Sequence, residues 1–329
     1  MLQTRMTQLF GIQYPIMQGG MQHLGVPQFA SAVSDAGGLG TINVSCFPSA
    51  KAFHEALREM RKLTDKPFAV NFSFLPEISI GEQRRVWEQI ELCVLEKVPV
   101  IETAGGDPSP YIGALHDGGC KIVHKAPSVK IAKRMEEKGV DAVSIIGYEV
   151  AGHPSMDGVG TIVMADRAAS QLKIPVLAAG GIADGRGLAA ALALGCEGIV
   201  MGTRFVATKE CRISQAHKDW IVTHGEKDSV LIMKSVRNMV RAANNESART
   251  CLEMERRGAA LEELMSVISG ANSRESYREG TVEKGIFCVG PAMGLIDSVL
   301  PVKTLLDEIV AEAESAIERL RRIAADRRS

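Results

Sequence analysis

Side chains and turns able to do chemistry follow directly on short apolar runs. Two glycine turns, "AAGGIADGRG" and "VMGTRF", bring Gly180, Gly181, Gly202 and Thr203 to the ends of such runs. Glycine lets a phosphate approach the backbone closely, and free amide N–H groups at a helix start favour an anion, so this pair of turns suits a phosphorylated ligand. Arg204 follows Thr203 and either assists the anion or enters an ion pair. A third loop, "IIGYEVAGHPSMDGVG", carries one histidine, His153, between Gly152 and Pro154. An imidazole with an ordinary pKa of ~6.5 exchanges a proton near neutral pH; that is proton-transfer chemistry if the ring meets a substrate and structural hydrogen bonding if it does not.

Such residues need elements that bring strand ends to one place. Eight short apolar, often β-branched runs recur along the chain: "YPIMQGG" (14–20), "LGTINV" (39–44), "FAVNFSF" (68–74), "VPVIETAGG" (98–106), "KIVHKA" (121–126), "DAVSIIG" (141–147), "IPVLAAGGI" (174–182) and "GIVMGTRF" (198–205). Amphipathic helical patterns such as "SAKAFHEALREMRKL" and "SVKIAKRMEEKG" separate them. Repetition of strand and helix at roughly 20 to 35 residues is the signature of a parallel sheet with helical crossovers. Eight units predict an α/β fold closed into a (β/α)8 TIM barrel, whose working face is the C-terminal ends of its strands. An open doubly wound sheet would carry G-x-G-x-x-G in its first βα turn, and "MQGGMQHLG" does not fit that spacing. After Phe205 the pattern turns helical without further strands, which predicts an inserted helical cap domain over residues 209–300. The barrel then comprises 1–208 and 301–329, its wall completed by the helix "VKTLLDEIVAEAESAIERLRRI".

Composition narrows the functional classes. Of 329 residues 46% are hydrophobic and 23% charged, as in an ordinary globular chain. Lys and Arg number 38 against 39 Asp and Glu, a net charge of −1 that gives no electrostatic basis for a nucleic-acid or anionic-membrane partner. The basic end "ERLRRIAADRR" reads as a solvated helix terminus whose cations face the C-terminal dipole. No run approaches the ~18 apolar residues of a spanning helix, and the start lacks the apolar core of a signal peptide, so a cytoplasmic location is expected. Seven cysteines show no C-x-x-C spacing, which predicts neither a metal site nor a disulfide framework.

Taken together, "PIMQGGMQ", "AGGLGT", "ETAGGDP", the "HK" pair of the fifth run, "AGHP", "GGIADGRG" and "MGTRF" resemble, at matching spacing over nearly the whole chain, the FMN-dependent nitronate monooxygenases. That family, formerly called 2-nitropropane dioxygenases, includes the bacterial NADH:quinone reductases. The resemblance implies FMN as cofactor, with its phosphate on the Gly180/Gly181 and Gly202/Thr203 turns. Its isoalloxazine would lie over the barrel mouth near Gly20, Met21 and Gln22, lined by Asn71, Ser73, Lys125, Ala151 and Gly152. It also implies a catalytic role for His153, as base or substrate-orienting group above the ring. A flavin site needs a cation or dipole for the reduced anion. Lys125 would supply it unless an acidic neighbour such as Glu102 takes its charge. Asn71 needs a partner if buried, whether a flavin carbonyl, a ribityl hydroxyl or a backbone group. By strand alternation, Lys125 pointing inward turns His124 outward. His23 is expected to face solvent, and Cys288 to be an inert buried thiol.

Three functions remain at this stage. The first is nitronate monooxygenase chemistry, in which FMN oxidises an alkyl nitronate and O2 reoxidises the flavin. The second is an NAD(P)H:quinone reductase using the same FMN, with NADH or NADPH as co-substrate. "ETAGGDP" and "AGHP" lean to that branch, whereas "SMDG" retains only Asp157 of its acidic stretch. The third is a flavin-free lyase or isomerase acting on a phosphorylated ligand. A homodimer is expected from the hydrophobic cap helices.

Overall fold

The computed structural model describes residues 2–74 and 80–325. Strand and helix alternate as α1 (Arg5–Phe10), β1 (Ile16–Gln18), α2 (Pro27–Asp35), β2 (Gly40–Asn43), α3 (Ala50–Leu63), β3 (Phe68–Phe74), α4 (Ile80–Leu95) and β4 (Val100–Gly105). The series continues through α5 (Ser109–Asp117), β5 (Lys121–Ala126), α6 (Val129–Glu137), β6 (Ala142–Ile146), α7 (Thr161–Gln171), β7 (Val176–Ala179), α8 (Gly185–Ala193) and β8 (Gly198–Met201). These eight strands are parallel and pair in the order β1-β8-β7-β6-β5-β4-β3-β2. A bridge between Met17 and Leu39, with Gln18 N–H donating to Leu39 O at 2.9 Å, brings β1 to β2 and closes the (β/α)8 TIM barrel.

Alternation along each strand decides which side chain meets which layer. Met17, Leu39, Ala69, Val100, Val123, Ala142, Leu177 and Val200 fill the barrel interior. Ile16, Ile42, Val70, Ile101, Ile122, Val143 and Ile199 pack outward against the helices. Both faces of the sheet are therefore buried, as parallel strands require. The first helix, which no periodicity announced, plugs the N-terminal end: Met6 and Phe10 join the interior cluster. Burying each such side chain is worth roughly 1.5–3 kcal/mol.

After β8 the chain makes α9 (Thr203–Val206), then α10 (Gln215–Thr223), β9 (Ser229–Ile232), β10 (Val240–Ala243), α11 (Glu246–Arg256), α12 (Leu261–Ile268) and α13 (Gly270–Glu279). It returns to the barrel wall as α14 (Val302–Ala325). The inserted segment therefore departs from the all-helical cap expected from sequence: β9 and β10 form an antiparallel ribbon, Val240 opposite Ile232 and Ala243 opposite Ser229. Asn245 breaks the supposed helix, because its side chain accepts from Ala248 N–H and caps α11 instead. Ile232, Val240, Ala242, Ala248, Cys251 and Leu264 give the cap a core of its own. The two ends of this insertion meet, Lys209 N–H donating to Leu300 O at 3.0 Å. Helix α14 then packs on α8 at backbone contact, since a Cβ on Gly185 would lie 2.2 Å from Ile309 O. Its basic end beyond Ala325 lies outside the described residues. No helix among the described residues is long and apolar enough to cross a membrane.

Candidate active site

A chain of polar side chains crosses the floor of the barrel mouth. Asn43, Asn71, Glu102 and Lys125 lie on the inward-facing series of β2 to β5, one layer above the apolar interior. Register places Asn43 beside Asn71 and Asn71 beside Glu102. Asn43 Nδ2 donates to Asn71 Oδ1 (2.8 Å), and Asn71 Nδ2 donates to Glu102 Oε2 (2.7 Å). The same Oε2 accepts from Gly20 N–H at 2.9 Å, and Oε1 pairs with Lys125 Nζ at 3.1 Å. Glu102 is fully buried while the Lys125 side chain stays 19% exposed, so the lysine is the member of the pair that reaches the mouth. Asn71 finds its partners within the protein, and Lys125 has taken Glu102 as counter-ion. Gly20 is required by this approach: a Cβ there would sit 2.2 Å from Asn71 Cγ.

On the opposite side of the mouth, the β7 turn holds Gly180 and Gly181 in consecutive left-handed conformations, φ 103° and 74°. Positive φ at both positions is a backbone that glycine adopts freely, so the turn brings bare main chain to the strand ends, where a phosphate can approach its N–H groups closely. The β8 turn adds Gly202, where an extra Cβ would meet open space, and Thr203 at the start of α9, whose first-turn N–H groups have no intrahelical partner. Thr203 Oγ1 itself accepts from Gly290 N–H (3.0 Å), which leaves the backbone as the anion-facing part. Asp184 of "ADGRG" caps α8 through Gly187 N–H at 2.8 Å. Arg204 is buried and donates to Ala207 O and Ser298 O (3.1 and 2.8 Å), so it ties down the chain's return rather than facing an anion. Ser144 Oγ, beside Lys125 in register, and Gln18 Nε2 are buried without hydrogen-bond partners among the described residues. The Ser144 orphan, on the inward series beside Lys125, together with the two turns, fits a polar phosphorylated group seated in the mouth; Gln18, on the outward series with Ile16, faces away from it.

Between these halves runs the loop from β6 to α7. Glu149 anchors its base, accepting from Thr161 N–H and Oγ1 at 2.9 and 2.8 Å. The cap clamps its crest: Gly152 N–H donates to Arg241 O (3.0 Å), and Arg241 N–H donates back to Gly152 O (2.6 Å). The Arg241 guanidinium donates twice to Tyr148 O, at 3.2 and 2.9 Å, and stacks over the Tyr148 ring. His153 follows at once; its side chain keeps exposed surface although protein surrounds much of it. That surrounding protein desolvates the imidazolium and lowers its pKa below the ordinary 6.5.

Of the other residues singled out from sequence, Ser73 is exposed at the end of β3 and Met21 and Ala151 are half-buried on their loops. Gln22 is exposed and lies beside the start of α13. His124 points out of the barrel to Thr103 Oγ1 (2.8 Å), with Lys125 inward. His23 does not face solvent: it is half-buried with a left-handed φ of 67°, and its Nδ1 accepts from Arg274 Nε at 3.4 Å. Burial raises the Cys288 thiol to about 11, leaving it unreactive at neutral pH. Sequence reasoning missed Asn43, Glu149 and Arg241 and gave Glu102 only a secondary part. For Glu102 a signal existed, a carboxylate two residues above inward Val100 at a strand end. For Arg241 there was none, because its segment reads as helix.

The fold and the chemistry at its mouth define a (β/α)8-barrel oxidoreductase, and comparison with known proteins specifies the family. The nitronate monooxygenase family matches residues 3–312, and the chain belongs to it. A (3aS,4S,5R,7aS)-5-hydroxy-7a-methyl-1-oxo-octahydro-1H-indene-4-carboxyl-CoA dehydrogenase of Rhodococcus jostii is 30% identical over 97% of this chain and 98% of that protein. A probable nitronate monooxygenase of Staphylococcus saprophyticus is 29% identical over 97% and 99%. Among solved structures, FabK from Thermotoga maritima aligns with a TM-score of 0.90 and 38% identity, covering 98% of this chain and 99% of its own. A nitroalkane oxidase from Streptomyces ansochromogenes shares the fold at a TM-score of 0.81, with 24% identity over 96% of this chain and 99% of its own. The chain is accordingly a flavoprotein oxidoreductase, which sets aside the flavin-free lyase or isomerase.

Proposed function

We propose that this protein is an FMN-dependent nitronate monooxygenase that oxidises alkyl nitronates with O2. The reading is supported by a left-handed glycine pair after β7 and a partly exposed ammonium on β5, with the clamped loop bearing His153 following β6 between them. Gly180, Gly181, Gly202 and Thr203 would hold the cofactor's phosphate through backbone N–H groups. Gly20, Met21, Gln22, Asn71, Ser73, Lys125, Ala151 and Gly152 would border its ring. FMN, when bound, accepts electrons from the substrate and returns them to O2.

The protein's own contribution follows from its geometry. Lys125, paired with buried Glu102, would present the ammonium end of a neutral ion pair to the mouth as a donor for an anionic or carbonyl oxygen. His153, its pKa lowered by surrounding protein, is neutral at pH 7 and can accept a proton or hold an anion by its N–H. The backbone pairing of Gly152 with Arg241 keeps that ring from drifting with the loop. Cap helix α13 starts beside Gln22 and His23, so the cap borders this edge of the mouth.

A second reading, an NAD(P)H:quinone reductase, is supported by the "ETAGGDP" and "AGHP" motifs. The relative named as a carboxyl-CoA dehydrogenase adds a CoA thioester as a further substrate class to test. Anaerobic mixing distinguishes these outcomes. A nitronate monooxygenase bleaches its flavin with the nitronate and hardly with nucleotide. Rapid bleaching by NADH or NADPH followed by reoxidation with a benzoquinone reverses the ranking, and bleaching by a CoA thioester alone replaces both readings.

A further inference from the structure

We infer that Glu102 is a positioning residue for the flavin: it fixes the Lys125 ammonium at the floor of the mouth and offsets its charge, so that the pair, rather than Lys125 alone, sets the cofactor's reduction potential. The inference rests on the FMN reading above.

The hydrogen bonds of the carboxylate do not by themselves call for a charge. Glu102 is fully buried, and one oxygen, Oε2, takes both structural hydrogen bonds, from Asn71 Nδ2 at 2.7 Å and Gly20 N–H at 2.9 Å. The other oxygen faces the Lys125 ammonium at 3.1 Å. An amide would meet the first two demands equally well with its carbonyl oxygen. A buried ion is costly unless paired, and a neutral isostere is often no less stable, so stability alone does not account for a charge here. The Lys125 ammonium reaches across the lumen toward β1, 3.6 Å from where a Cβ on Gly19 would stand. Glu102 Oε1 faces the ammonium at ion-pair distance without a directed hydrogen bond, so charge rather than a donated N–H holds the two together. Ser144 Oγ, the neighbour of Lys125 in register, also lacks a partner among the described residues and is available to the same guest.

The sign of each perturbation follows from charge. Reduction adds electron density to the ring, so a nearby positive charge favours the reduced cofactor and a negative one opposes it. Glu102→Gln removes the offsetting charge and keeps the two structural hydrogen bonds; the potential rises. Lys125→Met removes the ammonium, so the potential does not rise, and the buried carboxylate left behind lowers it to the extent that it stays ionised. The double substitution removes both charges and returns the potential toward that of the wild type. A tenfold or larger change in the ratio of affinities for reduced and oxidised cofactor is expected from Glu102→Gln, about 30 mV for a two-electron couple.

The experiment is a dye-coupled redox titration of the purified holoproteins, with the dissociation constant of oxidised FMN measured alongside. An upward shift in Glu102→Gln that Lys125→Met does not share, reversed in the double, supports the inference; a purely structural pair would move both singles the same way or neither. If Lys125→Met does not retain flavin, the comparison of Glu102→Gln with the double variant decides: an upward shift that the second substitution cancels supports it. An absent or downward shift in flavin-loaded Glu102→Gln overturns it. Wild-type protein that binds no FMN refutes the underlying cofactor reading instead, a separate result.

Discussion

Arg241→Ala tests whether the cap positions the His153 loop or only covers it. The side chain donates to Tyr148 O from Nε and Nη2 and to Ser229 Oγ from Nη1 at 3.2 Å, and its guanidinium lies 5.0 Å from the Tyr148 ring centre. Hydrogen bonds from a charged donor are worth ~1.5–3 kcal/mol each, an unpaired buried carbonyl costs ~1–3 kcal/mol, and the ring contact adds ~0.5–1 kcal/mol. Truncation also relieves the burial of a guanidinium, a burial large enough to lower its pKa. The net expectation is therefore ~2–4 kcal/mol of lost stability, less than the summed contacts. The backbone bridge between residues 152 and 241 survives the substitution, so the loop should remain docked but less well aimed. Misplacement of a catalytic group by about 1 Å costs ~10²-fold in rate. The variant should keep its flavin, because the phosphate turns follow β7 and β8, while turnover with a nitronate falls by about that factor. Urea denaturation gives the first quantity, as a lower midpoint at unchanged slope, and steady-state kinetics the second. Arg241→Lys should recover only part of both, since one ammonium cannot span Tyr148 O and Ser229 Oγ. Full turnover in a destabilised Arg241→Ala protein would show that the clamp is structural only; unchanged stability would show that these hydrogen bonds were miscounted.

Gly181→Asp puts a side chain on a left-handed residue, with its Cβ 3.4 Å from that of Glu149, and adds a negative charge to the turn proposed to hold the phosphate; the folded protein should be colourless, and stoichiometric flavin in it would place the phosphate elsewhere. His153→Ala should retain flavin and lose roughly 10²–10⁴ in turnover, with His153→Asn restoring the orienting part. Because the surrounding protein lowers the His153 pKa, wild-type activity should persist through pH 6.5 and fall only at lower pH. That acid limb should be missing in the Asn variant, and an identical pH profile there would remove the base role. Burial holds His124 and His217 neutral, each with its pKa lowered to about 4, while the unfolded chain protonates near ~6.5. Because these folded pKa values are depressed, the stability the two residues contribute is complete above about pH 6.5 and is lost as pH falls from there toward 4, at up to ~1.4 kcal/mol per pH unit for each group. Denaturation midpoints measured at about pH 7, 6 and 5 should decline accordingly, and His124→Gln should flatten the decline; a midpoint independent of pH over that range would contradict it.

Much of the barrel was legible in the chain because its signals are local. A β-branched run such as "KIVHKA" needs burial on both faces, and the strand covers Lys121–Ala126 as read. "GGIADGRG" shows its turn and its Asp184 cap within eight letters, since a left-handed glycine pair and an N-cap are properties of neighbouring residues. That Lys125 and His124 face opposite ways followed from alternation, whereas which of them faces inward was decided by the register of the barrel. What only the tertiary structure decided are contacts between residues far apart in sequence. Gly20 and Glu102 stand 82 positions apart, and Arg241 and Tyr148 stand 93 apart. No local pattern marks such pairs, because their hydrogen bonds exist only once the barrel has closed and the cap has docked. The segment "VRAA" at 240–243 shows the same limit: its residues suit helix or strand about equally, and pairing with β9 and with the Gly152 loop made it a strand. Whether Lys125 met Glu102 or stood free depended likewise on the register of β4 with β5, a relation between strands that neither strand's own residues specify.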